Sequence, residues 1–121
     1  MKGLKFGVSL IVAVSVVASS AAVTCLADET STVDVDATSS DQEVTVGNIN
    51  VTSGGGLEIN ADNGYSATVT TGSITANGYY DGPNAYVEDG SNLDLTVNGD
   101  IYVDGDGLDL YTKYDSTSTV D

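Results

Sequence analysis

The sequence predicts an all-β protein, a short right-handed parallel β-helix of about three coils. A five-residue phrase occurs three times, as GNINV from Gly47, GSITA from Gly72 and GDIYV from Gly99. The copies are almost evenly spaced, the second step being slightly longer than the first, and a repeat period of this size is typical of solenoids. No stretch after residue 27 has the apolar spacing of a helix. The alternative is an antiparallel β-sandwich, because Asn-Gly and Asp-Gly turns favour hairpins.

Residues 1–27 have the features of a secretory signal peptide. Two lysines precede an almost unbroken apolar run at 8–17, and small residues follow it. The run is too short to span a membrane, and a polar, acidic chain follows. We expect cleavage after Ala27, with cleavage after Ala22 as the second choice. The expected location is therefore secreted or extracellular, including the cell surface.

The single cysteine, Cys25, lies inside this segment and has two interpretations. The favoured one is that Cys25 is removed with the signal peptide. The alternative is a bacterial lipid anchor at Cys25, which fits poorly because Thr24 precedes it where Gly, Ala or Ser is usual. Under either interpretation the exported chain has no disulfide, although its compartment would permit one.

The charge of the exported chain limits its partners. All 18 acidic residues lie from Asp28 onward and Lys113 is the only basic residue there, which leaves a net charge of −17. Nucleic acid and anionic membranes require clustered Lys and Arg, so both are excluded as partners. No apolar run after residue 27 is long enough for a transmembrane segment. The possible partners that remain are a glycan, a surface protein or a second copy of the chain.

The chain divides into three parts after the signal peptide. Residues 28–42 are acidic and rich in Ser and Thr, which predicts a disordered leader, although the alternation at Val33 and Val35 is compatible with a capping strand. Residues 43–113 form the predicted solenoid. Residues 114–121 have the composition of the leader and are expected to be a disordered tail.

Each solenoid repeat contains a G-x-I-x-V strand, a Gly-rich corner, a short strand, a second corner and a longer strand. Val69 and Val97 differ by one position when counted back from the next Gly, so a turn or bulge must absorb one extra residue. Open strand edges at the ends invite pairing, so the chain is either a piece of a longer solenoid or closed by self-association or by its polar flanks. The stacked core columns expected from the repeats are Ile49–Ile74–Ile101, Val51–Ala76–Val103, and Leu57/Ile59 on Ala85/Val87 on Leu108/Leu110.

The phrase VNGDIYV at 97–103 and the rhythm G-x-I-x-V/DG-x-x-L-x-L over residues 45–112 resemble the repeats of a known group. These are bacterial extracellular right-handed parallel β-helix proteins, the acidic, Gly- and Thr-rich surface proteins of Gram-positive gut and rumen bacteria. The resemblance implies an outer-surface setting and a plan similar to adhesins and polysaccharide-handling β-helix proteins. It carries over no catalytic residue.

One segment has a sequence similar to a calcium-binding motif. DGDGLDLY at 104–111 partly matches the calcium-binding nonapeptide G-G-x-G-x-D-x-U-x, and Gly-rich turns present carbonyl and carboxylate oxygens. The tentative ligands are Asp104, Asp106 and Asp109, with Asp100 as a neighbour. Such sites are built from tandem copies and one copy is present, so the favoured interpretation is a turn before a strand. No other cofactor is expected.

Outward carboxylates at Glu58, Asp94 and Asp109 could serve as acid–base residues in glycoside hydrolysis, which needs two carboxyl groups across a sugar-binding groove. The exported chain has no His, Arg or Trp, so a lyase would lack its usual base. The favoured interpretation is that these carboxylates keep β-rich segments soluble. We therefore expect no catalytic residues, with a truncated polysaccharide lyase or hydrolase as the alternative.

Tyrosine is the dominant aromatic residue, with seven Tyr against one Phe. Tyrosine combines a flat apolar ring with a hydroxyl, which suits contact with sugar rings or with proteins. The favoured interpretation is ordinary coverage of strand faces and corners, and contact with a sugar or a protein is the alternative. The candidate contact residues are Tyr79, Tyr80 and Tyr86 around one corner, and a second group in the last coil contains Tyr102, Tyr111 and Tyr114.

The function expected from these features is that of an exported, non-catalytic β-solenoid with a structural or adhesive role at the bacterial cell surface. The alternative is a carbohydrate-binding module that uses the tyrosines, with or without calcium.

Overall fold

A computed structural model describes residues 21–25, 27–77 and 82–121. In this part of the chain every regular element is a strand, which confirms the all-β prediction, and no helix is long and apolar enough to cross a membrane. The strands are β1 (Ala21–Cys25), β2 (Val33–Ala37), β3 (Gln42–Val46), β4 (Ile49–Val51), β5 (Leu57–Ala61), β6 (Ser66–Thr71), β7 (Ile74–Ala76), β8 (Asn84–Val87), β9 (Asn92–Val97), β10 (Ile101–Val103), β11 (Asp109–Thr112) and β12 (Thr117–Val120).

The strands form three parallel sheets. Sheet A has the order β1-β3-β6-β9-β12, sheet B the order β4-β7-β10 and sheet C the order β2-β5-β8-β11. The chain visits sheets A, B and C in turn, and each strand pairs with the equivalent strand of the next coil. The fold is therefore a parallel β-solenoid of about three coils, and all pairing among the described strands is parallel, unlike that of the alternative sandwich.

The repeated phrase forms the stacked core of sheet B, as predicted. Ile74 lies in register with Ile49 on one side and Ile101 on the other. Ala76 in turn pairs with Val51 and Val103. Successive side chains of a strand point to opposite faces, so the apolar residues two apart all point inward. Ile49 and Ile74 are at most 1% exposed.

The corner between sheets C and A repeats in three coils. Each corner contains two consecutive residues with positive φ, at Asn63-Gly64, Asp89-Gly90 and Tyr114-Asp115. Asn, Asp and Gly tolerate this conformation, whereas it is uncommon for Tyr. Such turns often connect hairpins. Here the strands on either side pair with the coils above and below them, so the turn redirects the chain from one sheet to the next.

The extra residue that the repeats require enters at a corner. The pairing Ile74↔Ile101 in sheet B spans one more residue of chain than the pairing Val69↔Leu95 in sheet A. The added residue therefore lies between β9 and β10. Because the strands keep their two-residue alternation, the apolar face stays inward, as predicted.

The core columns of sheet C differ from those expected. Ala85 pairs with Ile59 and with Leu110, not with Leu57 and Leu108. The cause is the corner before β8, where the buried Pro83 takes the position in its coil that Leu57 holds one coil earlier. The observed pairing is shifted by two residues from the predicted pairing. The same side chains therefore still point inward, although their partners change.

The solenoid extends beyond the expected boundaries of 43–113. Strand β2 lies in the segment 28–42, which the sequence predicts to be a disordered leader, and β12 lies in the expected tail at 114–121. In β2 the sequence VDVDA alternates buried and outward residues, with Val33 and Val35 at most 2% exposed. The alternation at these two valines is thus a strand of the core. Strand β12 consists mainly of β-branched residues and pairs with β9.

Truncation of the central isoleucine should cost more stability than truncation at the end of the same column. We expect Ile74→Ala to lower the free energy of unfolding by about 2–5 kcal/mol, because it opens a cavity between two other isoleucines. Ile101→Ala should cost about 1 kcal/mol, because Ile101 is 36% exposed. Urea unfolding at low protein concentration measures both values, and equal losses would contradict the stacking.

Candidate functional site

Two tyrosines stack on the outer surface of sheet C. Tyr86 on β8 and Tyr111 on β11 are register partners, so they occupy the same position of adjacent coils. Their ring centroids are 5.1 Å apart and the ring planes differ by 4°. Both residues are exposed, Tyr86 to 44% and Tyr111 to 42%. We call the outward surface formed by Asn60, Tyr86 and Tyr111 the tyrosine face.

A recess of about 250 Å³ adjoins the tyrosine face. Asn60 is the register partner of Tyr86 on the side away from Tyr111. Because its side chain is much shorter than a tyrosine, the ring face of Tyr86 opposite Tyr111 remains accessible. The recess is thus bounded by one aromatic ring and by amide, hydroxyl and carboxyl groups. Its lining residues are Thr38, Asn60, Ala61, Asp62, Tyr86 and Glu88.

The polar groups of the recess are partly fixed by neighbouring residues. Asp62 Oδ1 accepts a hydrogen bond from the Asn63 backbone N–H at 2.6 Å, and the Asn63 side chain donates to the Thr38 carbonyl at 3.1 Å. Lys113 Nζ lies 3.4 Å from Glu88 Oε1 and 5.9 Å from the ring centroid of Tyr111. An exposed ion pair of this kind adds at most about 1 kcal/mol of stability. It orients the Glu88 carboxylate beside the recess.

A second outward column of sheet C is acidic. Asp34 and Glu58 are register partners on adjacent strands, so their side chains are neighbours on the outward face. Partial burial of its carboxyl raises the pKa of Asp34, and the hydrogen bond and negative charge of Glu58 raise it further, with Asp36 adding to the effect.

The first coil contains a buried carboxyl group. Glu29 is 1% exposed and pairs with Ile49 at the position that isoleucine holds in later coils. Burial raises the pKa of Glu29. Its Oε1 atom has no hydrogen-bond partner in the described part of the chain. The core therefore favours the protonated, uncharged form of this side chain.

The candidate calcium ligands occupy a corner and the start of a strand. Asp104 and Asp106 are exposed and Asp109 begins β11. The carbonyl oxygen of Asp106 accepts a hydrogen bond from the Gly82 N–H at 2.9 Å. A Cβ atom on Gly82 would lie 2.6 Å from the Gly107 carbonyl oxygen, so the Gly-rich segment packs against a glycine of the coil below. Among residues 21–25, 27–77 and 82–121, no group of three or more acidic, His or Cys side chains could hold a metal ion. Calcium binding stays a prediction without an assembled set of ligands.

The carboxylates considered for acid–base chemistry lie on two different faces. Glu58 and Asp109 belong to sheet C and are separated by Asn84 in their column. Asp94 belongs to sheet A, where it pairs with Thr68 and Thr119. The three side chains are therefore not brought together.

The sequence groups the tyrosines by neighbourhood along the chain, whereas the structure pairs them by coil. Tyr86 stacks on Tyr111, which belongs to the other sequence group. Tyr79 and Tyr80 lie outside the described residues. The signal that could have identified the pair is its spacing, which equals the step from Gly47 to Gly72. The recess had no such signal, because it depends on a short side chain at position 60 and on corner geometry.

Comparison with protein-family models, with curated proteins and with solved structures finds no match for this chain.

Removing one charge of the acidic column should stabilise the fold in a pH-dependent way. Because the pKa of Asp34 is raised in the folded chain, stability falls as the pH rises from the ordinary range of Asp through the folded-state pKa. Glu58→Gln removes the like charge beside Asp34, so we expect a gain of about 0.2–1 kcal/mol at about pH 7 and none at about pH 3.

Glu43→Gln is the matched control for this substitution. Glu43 is exposed on sheet A, and its register partners Ala22 and Thr68 are uncharged. Urea unfolding at both pH values should show no gain for this variant. Equal gains for the Glu58 and Glu43 variants would mean that overall charge, not the column, sets the effect.

Proposed function

We propose that this chain is an exported, non-catalytic β-solenoid with an adhesive role at the bacterial cell surface, and that its tyrosine face contacts a sugar chain. The observation that carries the proposal is the accessible ring face of Tyr86 beside a polar recess. Export rests on the predicted signal peptide, and the bacterial surface rests on the resemblance to extracellular β-helix proteins.

The tyrosine face has the two components that sugar binding uses. The apolar face of a sugar ring packs on an aromatic ring, and its hydroxyl groups exchange hydrogen bonds with side chains such as Asn60, Asp62 and Glu88. The stack with Tyr111 holds the Tyr86 ring in place, which reduces the side-chain entropy lost on binding. The recess is slightly smaller than the ~300 Å³ lower range of ligand pockets, so it suits one sugar ring, with the rest of the glycan on the tyrosine face.

The charge of the chain favours uncharged glycans. After removal of residues 1–27 the net charge is −17 with Lys113 as the only basic residue. An acidic polysaccharide would be repelled over distances up to the Debye length, about 8 Å at physiological ionic strength. Neutral or amine-bearing glycans are therefore the expected class.

A binding role fits the arrangement of the carboxyl groups better than hydrolysis. Glycoside hydrolysis needs two carboxyl groups on either side of the scissile bond. Asp34 and Glu58 are neighbours on one face of sheet C, and the two carboxyl groups of the recess, Asp62 and Glu88, directly follow adjacent strands of the same sheet. Neither pair is placed on opposite sides of a groove.

Replacement of Tyr86 should abolish or strongly weaken glycan binding. Stacking on an aromatic ring contributes on the order of 1 kcal/mol or more, so Tyr86→Ala should weaken binding at least about fivefold. Tyr111→Ala should have a smaller effect, because Tyr111 supports Tyr86. Binding is measured on an array of neutral and acidic polysaccharides with the protein secreted by a bacterial host.

Tyr102→Ala is the matched control, because Tyr102 is 70% exposed but lies on sheet B. It should bind like the wild type. No binding to any glycan, or equal losses for the Tyr86 and Tyr102 variants, would contradict the proposal. Release of sugar from any polysaccharide would contradict its non-catalytic part.

A further inference from the structure

The C-terminal end of the solenoid presents three strands with an uncovered side. β10, β11 and β12 are the last strands of sheets B, C and A, and no described strand pairs with their second edge. Ile101, Leu110 and Val120 continue the inward columns but are 36%, 36% and 39% exposed. Their register partners one coil below, Ile74, Ala85 and Leu95, are fully buried.

The N-terminal end is covered by a strand that export is expected to remove. β1 pairs with the edge of β3, with Val23 opposite Val44, and all of β1 lies within the predicted signal peptide at 1–27. Removal of that segment leaves the first coil without its sheet A strand. The other two parts of this coil remain, because Glu29 pairs with Ile49 and β2 pairs with β5.

The two ends of the processed chain are complementary. The first coil lacks only its sheet A strand, and the coil after β11 contains only such a strand, β12. The register of sheet A runs from Val44 through Val69 and Leu95 to Val120. A second copy placed one coil further along the axis would therefore bring Val120 to the position that Val23 holds on β3.

In this placement the two chains occupy different positions of sheet A. With Val120 in the place of Val23, Asp121 takes the place of Thr24. Strand β12 then stops short of Asp28 of the next copy, with the vacated positions 25–27 between them. The backbone of β12 has donors for this contact. The N–H groups of Thr117 and Asp121 donate to the previous coil, and in a parallel ladder the intervening N–H groups of Ser118 and Val120 point to the other side.

We propose that processed copies of this chain join head to tail, with β12 of one copy on β3 of the next in the place vacated by β1, so that removal of residues 1–27 permits assembly. The proposal depends on the predicted cleavage after Ala27 and is independent of glycan binding. In the same contact β11 lies on β2, which covers Leu110 with Val35, and β10 lies on the Glu29 segment, which covers Ile101. The contact is between different surfaces and leaves one end of each type free, so it predicts linear growth and not a closed dimer.

Charge opposes this contact at low ionic strength. Each processed copy carries a net charge of −17, and the contact places Asp109 of one copy beside Asp34 of the next. The Debye length falls from about 30 Å in 0.01 M salt to about 8 Å in 0.15 M salt. Assembly should therefore increase with salt over this range.

The first test measures the size of the processed chain secreted by a bacterial host. Intact mass establishes the first residue, and sedimentation velocity over a series of concentrations in 0.15 M salt measures assembly. We expect a start at Asp28 and a series of species that lengthens with concentration. Val120→Lys should weaken assembly at least about tenfold, because a charge enters the apolar column.

Thr119→Lys is the matched control, because it adds the same charge on the outward side of the same strand. It should assemble at least as well as the wild type, because the added charge would lie beside Glu43 of the next copy. A monomer at all concentrations, a closed dimer, or equal losses in both lysine variants would overturn the proposal. So would a chain that starts at Val23, because it keeps part of β1.

The second test locates the contact. In the joined copies Thr119 lies beside Glu43, about 4.8 Å away along the sheet, which is within the range for a disulfide. A mixture of processed Thr119→Cys and Glu43→Cys chains should form the mixed disulfide under oxidation. A mixture of Thr119→Cys and Thr68→Cys should not, because Thr68 lies one strand further, next to Glu43.

The unprocessed chain tests the role of β1. With Cys25→Ala and Glu43→Cys, its β3 edge stays covered, so it should not cross-link to Thr119→Cys. This readout is specific to one contact, so association through the apolar run at 8–17 does not affect it. Equal cross-linking of processed and unprocessed chains, or of the Thr68 and Glu43 variants, would overturn the proposal.

Discussion

In-register stacking of equivalent residues from successive coils is the interaction on which the rest of this structure depends. Parallel backbone pairing places each side chain over its equivalent in the coil below, as with Ile49, Ile74 and Ile101. Inside, this stacking builds a dry core from few residues. Outside, the same rule stacks Tyr86 on Tyr111. Core and surface are therefore set by one constraint, and a change in coil length alters both.

The same constraint has costs. Stacking also brings like charges together, as at Asp34 and Glu58. The negative charge of Glu58 adds to the effect of burial in raising the pKa of Asp34. It leaves a coil at each end with one side uncovered, because each repeat buries its apolar face only against its neighbours. In this chain the uncovered residues at one end, such as Leu110 and Val120, have the alternation of a core strand. An open end of this kind favours contact with an equivalent coil over contact with solvent.

The sequence was informative where the repeat is regular. The isoleucine column followed from three copies of one phrase, and the tyrosine pair could have been found from the same spacing. Sheet C was predicted with the wrong partners because the corner before β8 differs in length, and Pro83 takes the position opposite Leu57 that was expected for Ala85. Strand β2 was assigned to a leader because its outward aspartates dominate the local composition. The recess depends on the size of Asn60 relative to Tyr86, which no local pattern reveals.

Cross-strand nuclear Overhauser contacts in isotope-labelled protein test the in-register parallel pairing most directly. The structure predicts backbone contacts of Thr75 with both Asn50 and Tyr102, its equivalents one coil earlier and one coil later in the chain. In sheet A, Thr68 should contact Glu43 and Asp94 in the same way. Antiparallel hairpins would instead give contacts between neighbouring strands in which the residue number rises along one strand as it falls along the other. Such contacts would contradict the solenoid.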